Sequence, residues 1–597
     1  SGVSRKLREA RLALALEETY EKDEILTRYL NIVYFGQGAY GIQAAARRYF
    51  SVDATDLSLP QAATLAGLVQ SPGRDDPITN PERAQARRNQ VLNRMNTLGN
   101  ITDEELAALV DTPVAVKVGQ PPANGCIDAS VGGFFCAFMR TYLLDDLGLT
   151  QDQLDNGGLT IQTTLRPAMQ RAGDQGVLNT LPMGDRLAGM YTAVEPGTGK
   201  LLAMSVNRRF GCEGPACESV VLNDAASQGS GSTYKVFVAA AALAEGFSKY
   251  YTLTTSNPYQ SRVYRDWEEG VGPVPYDVEN VGDYDRTLDL EKALYQSSNT
   301  YFLALEDALG SVEKPVRMAQ AMGMSFDRPN QKPADEIIDD QDGSFTFGPY
   351  ATSPLDLANA YATLAASGTR CTPIPVEAVL DRNGEPLTKE DGSPLVVPGS
   401  NCKKGAIPPG VATTLNQMLR KDVEPGFSGA TGTAAYVPGH QIAGKTGTSQ
   451  NNFSVAFVGY TPKYAASVMV LNPKRNEDVG GFGGGKGATI WRDSMAPILA
   501  GQPMTPFPPA DPKVENGNTR LVPGCGSVGS CEAALSAAGF RTAVSSIDAS
   551  SPEGSFVGTS PPAGGRAVRG QTVTILVSNG SGFVAPPPPP PAPAPGG

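Results

Sequence analysis

The stretch GSGSTYKVF, Gly229–Phe237, decides how the rest of the chain is interpreted. Its two glycines favour a tight turn with backbone angles that other residues avoid. The residues that follow are almost wholly apolar as far as Ala244, and Gly246 is a natural helix stop. A helix that is apolar on every side is a buried helix. Because Lys235 lies three residues after Ser232, we predict that the two side chains share one face at the start of this helix.

A lysine on a buried helix is a candidate for an unusual ionisation state. To act as a base near neutral pH, the pKa of Lys235 must fall from about 10.4 to about 7–8, at a cost of roughly 4 kcal/mol. The Ser-x-x-Lys pattern alone is weak, since Ser311–Lys314 and Ser400–Lys403 also fit it. Neither of those segments has a glycine turn that leads into a buried helix. The interpretation of Ser232 as a nucleophile therefore depends on partner motifs elsewhere in the chain.

The composition is that of a globular protein, and 597 residues suggest about three or four domains. The net charge of −12 argues against a nucleic-acid partner. No apolar run reaches the ~18 residues of a membrane span, and no signal-peptide pattern is present. Because Ser1 opens directly into a charged helix, we expect the chain to be part of a longer protein.

The eight cysteines indicate disulfides and an oxidising compartment, because they fall into four local pairs in loop-like surroundings. We expect neighbours to pair, although eight cysteines allow about 105 connectivities. A metal site is disfavoured because His440 is the only histidine and no Cys-x-x-Cys occurs, so we predict neither metal nor cofactor. A Ser-His-Asp triad would have to use His440; we expect that residue to be structural. The local pairs are Cys126 with Cys136, Cys212 with Cys217, Cys371 with Cys402, and Cys525 with Cys531.

Two further motifs accompany Ser232 and Lys235. Ser297-Ser298-Asn299 follows a short predicted helix, but Ser-x-Asn is weak alone because Ser205–Asn207 and Ser449–Asn451 also fit. Lys445-Thr446-Gly447-Thr448 occurs once, on a predicted strand, and its glycine permits close approach of a ligand backbone. The alternative for Lys445 is a charge that protects an edge strand from aggregation. Ser-x-x-Lys, Ser-x-Asn and Lys-Thr-Gly in this order form the signature of penicillin-binding proteins and class A β-lactamases.

On these motifs, and on the segments Gly158–Leu165 and Ser353–Ala358, the chain resembles the class A penicillin-binding proteins. Its single PASTA-like repeat, proline-rich tail and local cysteine pairs resemble the mycobacterial and related actinobacterial members. The resemblance implies an α/β transpeptidase domain with an antiparallel sheet flanked by helices. It implies that Lys235 deprotonates Ser232, which attacks the bond between two D-alanines of a stem peptide. Backbone N–H groups of Ser232 and Thr448 would form the oxyanion hole. The other implied roles are proton transfer for Ser297, amide binding for Asn299, carboxylate binding for Lys445 with Thr446 or Thr448, and ligand approach at Gly447.

The N-terminal residues resemble the last three motifs of the peptidoglycan glycosyltransferase family. The matching segments are Arg5–Glu9, Ile25–Asn31 with Gly36, and Arg87–Leu92. The family's earlier motif, which carries the essential carboxylate, has no match, so the resemblance implies an incomplete domain without glycosyl transfer. Glu9 would match the second family carboxylate, and Arg87 and Arg88 would hold lipid-linked pyrophosphate. The alternative for this basic helix is a solvated face.

Periodicity and composition predict the remaining organisation. Strands are expected over 441–447, 453–460 and 464–471, helices over 288–295, 354–366, 410–420 and 490–499, and a polar irregular segment over 254–285. Thr102 begins a capping box. Residues 517–582 resemble one PASTA repeat. The expected divisions are 1–100 (glycosyltransferase part), 101–157 (linker region), 158–501 (transpeptidase), 502–516 (linker), 517–582 (PASTA) and 583–597 (disordered proline-rich tail).

The sequence therefore predicts a peptidoglycan D,D-transpeptidase that is inhibited covalently by β-lactams. Two alternatives stay open: an acyl-serine hydrolase (a carboxypeptidase or β-lactamase), and a non-catalytic protein that senses β-lactams or the cell wall. The expected partners are stem peptides, the lipid-linked precursor, β-lactams and other cell-wall proteins. The resemblance implies a place on the extracytoplasmic face of the membrane, with the anchor in a segment absent from this sequence.

Overall fold

A computed structural model of the chain describes residues 2–120, 125–282, 284–397 and 399–583. It divides the chain into two compact units, Ser1–Asp128 and Ala129–Gly597. Within the described ranges, we find no helix with both the length and the apolar character needed to cross a membrane. The predicted proline-rich tail, apart from Phe583, lies outside the described residues.

The first unit is helical, as predicted. The capping box at Thr102 is present, because its side chain accepts a hydrogen bond from the Glu105 N–H while the Glu105 carboxylate accepts one from the Thr102 N–H. These two bonds satisfy donors that a helix start would otherwise leave unpaired. The helices are α1 Gly2–Thr19, α2 Lys22–Ile32, α3 Ile42–Phe50, α4 Leu59–Leu68, α5 Pro81–Thr97 and α6 Asp103–Val110.

The second unit is built around a five-stranded antiparallel sheet. Its strand order is β13-β14-β15-β2-β3, so the strand that carries the Lys-Thr-Gly motif lies at one edge. The three predicted C-terminal strands are confirmed within two residues at each end. The strands of this unit before the C-terminal module are β1 Thr160–Thr163, β2 Ala188–Val194, β3 Leu201–Val206, β4 Arg209–Phe210, β5 Cys217–Glu218, β6 Thr252–Thr254, β7 Tyr259–Glu268, β8 Gly272–Val278, β9 Thr287–Asp289, β10 Arg370–Cys371, β11 Val376–Leu380, β12 Cys402–Lys403, β13 Ala443–Thr448, β14 Ser454–Tyr460 and β15 Ala465–Leu471.

Helices cover both faces of the central sheet, which explains why β2, β14 and β15 are buried at every residue. One face packs against α9 and α17 around Trp491, and the other packs against α15 and α16. The helix with the nucleophile motif, α10, lies in the second of these cores. The helices are α7 Gly133–Thr141, α8 Gln151–Asn156, α9 Pro167–Thr180, α10 Lys235–Ala244, α11 Leu290–Gln296, α12 Asn299–Leu309, α13 Glu313–Met322, α14 Ala334–Asp339, α15 Pro354–Ala365, α16 Pro409–Val423 and α17 Lys486–Leu499.

One structural prediction was wrong. Residues 254–285 are not irregular: they contain the antiparallel hairpin β7–β8. The hairpin is largely exposed, and polar or charged side chains occupy most positions of β7, whereas β8 contains two prolines. β7 therefore lacks the apolar alternation by which a half-buried strand is recognised, and the prolines of β8 argue against a strand.

The C-terminal module forms a small α+β domain after the short helix α18. That helix lies inside the predicted linker, where Asp511 caps it and Pro512 begins it. Lys249, just after α10, forms an ion pair with Glu515 of α18, so the module is joined to the helix that carries Lys235. The elements are α18 Pro512–Asn516, β16 Thr519–Leu521, α19 Val528–Ala537, β17 Arg541–Ile547, β18 Phe556–Ser560, β19 Arg566–Val568 and β20 Thr572–Ser578.

The disulfides follow the predicted neighbour pairing. Cys212 is bonded to Cys217, Cys371 to Cys402, and Cys525 to Cys531. Cys126 and Cys136 are also disulfide-bonded. The three loops closed by the pairs named here span 5, 31 and 6 residues of sequence separation.

Candidate active site

Ser232 and Lys235 lie where a single 3-10 turn, Gly231–Tyr234, runs into α10. The predicted burial of this helix is confirmed, since every residue from Lys235 to Leu243 is buried. Ser232 itself is partly exposed. Its hydroxyl forms no hydrogen bond within the described residues, so the structure leaves it open to a ligand.

The Lys235 amine is directed toward the Ser-x-Asn motif rather than toward Ser232. Its Nζ donates hydrogen bonds to the Ser297 carbonyl oxygen (2.6 Å), the Ser297 hydroxyl (3.3 Å) and the Asn299 Oδ1 atom (2.7 Å). The rings of Phe302 and Phe347 lie 5.8 and 5.7 Å from the same nitrogen. Two of the three sequence motifs therefore meet at one buried nitrogen.

Burial lowers the pKa of Lys235 well below its usual value, and the positive charge of Lys445 lowers it further. The three acceptors around Nζ act in the opposite direction, because they stabilise the ammonium form. Burial is the larger effect, since the side chain is 0% exposed. The predicted direction of the pKa shift is thus present in the structure.

Local geometry holds Ser297 and Asn299 at a junction between two helices. Ser297 ends α11 in the left-handed region, with a φ of 64°. Ser298 then caps α12 by accepting a hydrogen bond from the Tyr301 N–H. Asn280, in the segment after β8, accepts a hydrogen bond from the Asn299 N–H (2.7 Å), and the Asn299 side chain donates one to the Glu279 carbonyl (2.8 Å). These bonds fix the amide of Asn299 against Lys235.

Lys445 lies on β13 next to a buried carboxylate that sequence reasoning did not identify. Its Nζ is 3.8 Å from the Asp422 Oδ2 atom, and both side chains are fully buried. Burial raises the pKa of Asp422 and lowers the pKa of Lys445. The other Asp422 oxygen accepts hydrogen bonds from the Thr431 N–H and hydroxyl (2.6 and 2.8 Å).

Thr431 links Asp422 to the Lys-Thr-Gly motif, since its hydroxyl lies 2.5 Å from that of Thr446. Asp422 is the penultimate residue of α16, whose predicted range stopped at residue 420. An acidic residue at the end of an amphipathic helix carries no local sign of a partner on a strand. Only the fold reveals its contact with Lys445.

Glycines allow the nucleophile turn and β13 to touch through their backbones. A Cβ atom on Gly231, which has a φ of +62°, would lie 2.3 Å from the Thr448 carbonyl oxygen and 2.5 Å from its nitrogen. A Cβ atom on Gly447 would lie 2.0 Å from the Ser230 carbonyl oxygen. The Lys-Thr-Gly-Thr strand and the turn that presents Ser232 are thus in direct contact. Thr448 accepts a hydrogen bond from the Gly483 N–H (3.3 Å).

The structure therefore brings together eight predicted residues, while three others lie in the first unit. Arg88 is 1% exposed and donates hydrogen bonds to the carbonyls of Leu109 and Thr112. Arg87 donates to the Gly67 carbonyl. Glu9 lies on α1, and its side chain lies outside the described part of the structure. The eight residues are Ser232, Lys235, Ser297, Asn299, Lys445, Thr446, Gly447 and Thr448.

No group of three or more His, Cys, Asp or Glu side chains in the described ranges is arranged to hold a metal ion. The chemistry that the site's own residues supply is that of a hydroxyl beside a buried amine. A second cation, Lys445, lies close enough to Lys235 to influence its ionisation.

Two family models match the chain. Residues 1–96 match "Transglycosylase", and residues 189–496 match "Penicillin binding protein transpeptidase domain". Penicillin-binding protein 2D of Bacillus subtilis is 28% identical over 508 residues, which cover 85% of this chain and 68% of that protein. Penicillin-binding protein 1A of Mycobacterium tuberculosis is 30% identical over 543 residues, which cover 85% of this chain and 60% of that protein.

A solved structure has the same fold over about two thirds of this chain. PonA1 from Mycobacterium tuberculosis, in complex with penicillin V, is 25% identical, with a TM-score of 0.52. The match covers 64% of this chain and 97% of the PonA1 chain.

Proposed function

Because the chain belongs to the family of penicillin-binding proteins, with a transpeptidase domain preceded by a transglycosylase region, we propose that it cross-links peptidoglycan stem peptides through an acyl-serine intermediate. The observation that carries the proposal is the contact of the buried Lys235 amine with Ser297 and Asn299, one turn from the open hydroxyl of Ser232. β-Lactams acylate the same serine.

Acylation begins with neutral Lys235. Its Nζ takes the proton of the Ser232 hydroxyl, and the serine oxygen attacks the carbonyl carbon between the two D-alanines. The lowered pKa of Lys235 supports this role, since an ammonium has no free electron pair. The serine and the amine must approach when substrate binds, because they form no hydrogen bond in the free protein. Catalytic hydrogen bonds are often long in unliganded sites.

The tetrahedral oxygen is stabilised by the N–H groups of Ser232 and Thr448, at roughly 3–4 kcal/mol for each donor. The close contact between Gly231 and Thr448 supports this pairing, because it brings the two backbone segments together. Lys445, together with Thr446 or Thr448, binds the terminal carboxylate of the donor peptide. The missing side chain of Gly447 leaves room for the Ser230 backbone, so the nucleophile turn lies against β13 where the extended substrate is held.

The C–N bond then breaks: Lys235 gives the proton it took to the Ser297 hydroxyl, and Ser297 passes a proton to the departing D-alanine amine, which leaves Lys235 neutral again. The acyl group stays on Ser232 as an ester. An amine of a neighbouring stem peptide attacks that ester, its proton is returned to the serine oxygen through Lys235, and the cross-link is released. Asn299 holds an amide of the donor peptide during both steps.

We extend the proposal to the rest of the chain. Residues 1–100 belong to a peptidoglycan glycosyltransferase domain that binds lipid-linked precursor. Residues 101–157 connect this domain to the transpeptidase domain over 158–501. The linker over 502–516 then leads to a PASTA repeat over 517–582. For Glu9, Arg87 and Arg88 we keep the role of precursor binding, with one structural condition. Arg88 can meet a phosphate only when its bonds to Leu109 and Thr112 open. The disulfides support a place on the extracytoplasmic face of the membrane.

The test is to identify the acylated residue. We would incubate the chain with labelled benzylpenicillin and locate the label by peptide mass mapping. The Ser232→Ala variant should take up no label. Ser311→Ala and Ser400→Ala are matched controls, since each removes the serine of another Ser-x-x-Lys pattern, and both should label like the parent. Label at any other serine would overturn the assignment.

A second measurement separates transpeptidation from hydrolysis. A D-Ala-D-Ala thioester-type mimic would be supplied with and without a D-amino-acid acceptor. Product that changes from hydrolysed to aminolysed when acceptor is present supports the transpeptidase. Hydrolysed product alone would favour a carboxypeptidase or β-lactamase, and labelling without turnover would favour a sensor.

A further inference from the structure

A cleft separates the transpeptidase domain from the C-terminal module, at the far ends of two active-site helices. Its volume is about 550 Å³, within the usual range for sites that hold small molecules. Glu245, just after α10, and Leu309, the last residue of α12, line one wall. Arg541 at the start of β17 and Thr572 at the start of β20 line the other. Lys235 and Asn299, at the opposite ends of those helices, are about 15 Å away, since a helix rises about 1.5 Å per residue.

The charges around the cleft do not balance. Four basic side chains (Arg262, Lys314, Arg541 and Arg569) and two acidic ones (Glu245 and Asp307) line it, so its net charge is 4 − 2 = +2. The whole chain has a net charge of −12. A basic cleft in an acidic protein concentrates anions near it.

Both acidic residues of the cleft are already engaged. The Glu245 carboxylate pairs with the Lys314 amine at 2.5 Å. The Asp307 carboxylate accepts hydrogen bonds from the Tyr259 hydroxyl (2.9 Å), the Ser261 hydroxyl (2.5 Å) and the Arg262 N–H (2.8 Å). Among the described residues, the guanidinium groups of Arg262, Arg541 and Arg569 then have no carboxylate within ion-pair distance.

Backbone hydrogen bonds hold two of these arginines in neighbouring segments. The Arg541 N–H donates to the Gln571 carbonyl (2.9 Å), and its Nε donates to the Gly570 carbonyl (2.9 Å). Gly570 in turn donates to the Gly539 carbonyl (2.8 Å), and Arg569 directly precedes Gly570. Two like charges in adjacent, hydrogen-bonded segments repel each other unless an anion lies between them.

The two walls are joined, which fixes the shape of the cleft. Tyr251 of the transpeptidase domain is hydrogen-bonded to Gln571 of the module, and the Arg262 guanidinium donates to the Thr574 hydroxyl at 2.8 Å. The apolar part of the lining includes Phe247, which is 4% exposed, and Leu253, which is 5% exposed. A lining that combines basic and apolar side chains suits a ligand that has one charged end.

We propose that this cleft binds a small anionic ligand, with a carboxylate or phosphate head held by Arg541 and Arg569 and an apolar body against Phe247 and Leu253. A guanidinium is suited to either head because its N–H groups match two oxygens of a carboxylate or a phosphate. The proposal does not rest on the function proposed for Ser232, because the cleft shares no residue with that site.

The test uses hexanoate, hexyl phosphate and hexanol as probes on the full chain at low ionic strength. The three probes share a hexyl-like alkyl chain and differ in the polar head group. Comparing them therefore distinguishes binding of a carboxylate from binding of a phosphate, and binding of either anion from binding of an uncharged head group. Ser232 is first acylated with benzylpenicillin; Ser232→Ala replaces this step if acylation fails, so the two proposals are tested separately. Protection of arginines from phenylglyoxal is read for each residue by peptide mass mapping, and affinity is measured by calorimetry.

We expect hexanoate or hexyl phosphate to slow modification of Arg541 and Arg569 at least threefold while Arg520 keeps its rate. We expect hexanol not to protect. The variant with Arg541→Gln and Arg569→Gln should bind at least tenfold more weakly, and Arg520→Gln, an exposed arginine of the same module, should bind like the parent. Protection by neither anion, equal protection by hexanol, or unchanged affinity in the double variant would each overturn the proposal. The protection experiment uses the parent chain. It therefore tests the proposal even if the double variant fails to fold.

Discussion

Lys445 and Asp422 form an ion pair at 3.8 Å in which both side chains are fully shielded from water. Breaking a buried pair leaves one uncompensated charge, which costs about 3–5 kcal/mol. Asp422 lies behind β13 and therefore has no direct part in the chemistry. Its negative charge favours the ammonium form of Lys445, which in turn lowers the pKa of Lys235. The charge of Asp422 thus affects the pKa of Lys445, and the charge of Lys445 affects the pKa of Lys235.

Asp422→Asn should reduce the rate of acylation by benzylpenicillin about 10- to 100-fold, the value of one charge-assisted hydrogen bond. Without the carboxylate, the pKa of Lys445 falls further, so its ammonium is lost more readily as the pH rises. The deficit should therefore deepen from pH 6 to pH 9, which stopped-flow acylation rates would measure. Asp174→Asn, on α9 across the sheet, is the matched control. An equal deficit at every pH would contradict this account.

Lys235→Arg should slow acylation of Ser232 by about 10²- to 10⁴-fold, the usual contribution of a general base. Arginine stays protonated at any pH the protein tolerates, so it cannot take the proton of the Ser232 hydroxyl. The measurement is the rate at which labelled benzylpenicillin attaches to Ser232. Lys200→Arg, where the parent lysine pairs with Glu377 at 2.7 Å, should retain the parent rate. An active Lys235→Arg variant would exclude Lys235 as the base.

Gly231→Ala should abolish acylation, because the new methyl group would lie 2.3 Å from the Thr448 carbonyl oxygen and push β13 away from the nucleophile turn. Gly405→Ala is a close control: its φ of +63° matches the +62° of Gly231, but nothing lies within 4 Å of its Cβ position. The control should lose about 1–2 kcal/mol of stability from backbone strain and keep its acylation rate. Similar acylation rates in the two variants would show that contact with β13 is unimportant.

Glu306→Gln should flatten the dependence of stability on pH. Glu306 lies on α12, fully buried, and neither carboxylate oxygen has a hydrogen-bond partner within the described residues. Burial raises its pKa well above the usual value, so the folded state holds a proton that the unfolded state releases. That contribution to stability is complete below about pH 4.3 and declines as the pH rises toward the folded-state pKa.

Urea unfolding of the parent and of Glu306→Gln, measured between pH 4 and pH 8, checks this prediction. The parent should lose more free energy of unfolding over that interval. Glu313→Gln, at an exposed position on α13, should leave the parent slope unchanged. Identical slopes in parent and Glu306→Gln would mean that Glu306 is ionised in the fold.

Replacing both Cys371 and Cys402 by alanine should cost about 3–4 kcal/mol by the chain-entropy model, because the pair closes a loop of 31 residues. The same model gives about 2 kcal/mol for Cys212 and Cys217, which are separated by 5 residues. Chemical denaturation of the two double variants would measure the order. A larger loss for the shorter loop would show that native-state contacts, rather than chain entropy, determine the contribution.

The sequence was most informative where a local pattern determines structure. The burial of α10 follows from its composition, and the capping box at Thr102 follows from four residues. The order of the three motifs matches a family signature, and that resemblance is what assigned Lys235 and Ser297 to one site. The buried helix and the capping box depend on residues that are close in sequence, and the site assignment depends on the order of known motifs.

Sequence reasoning failed where contacts are distant or exposure hides the pattern. Asp422 carries no local sign of its pairing with Lys445, and Arg88 gives no sign that its donors are used by the end of α6. The β7–β8 hairpin escaped prediction because its side chains face water on most positions. The direction of the Lys235 amine toward Asn299 instead of Ser232 depends on the segment around Asn280, which no periodicity marks.

The strand order of the central sheet determines when, during synthesis of the chain, the active site can form. Strand β2 ends at Val194 and β3 at Val206, whereas β15, which pairs with β2, begins at Ala465. A chain that emerges from its N-terminus therefore exposes an unpaired β2 edge while the nucleophile segment and everything up to β13 are still being delivered. Such long-range pairing is slow and leaves strand edges open to aggregation. The serine is synthesised early, but the site to which it belongs can form only after β13, at Ala443–Thr448, has been synthesised.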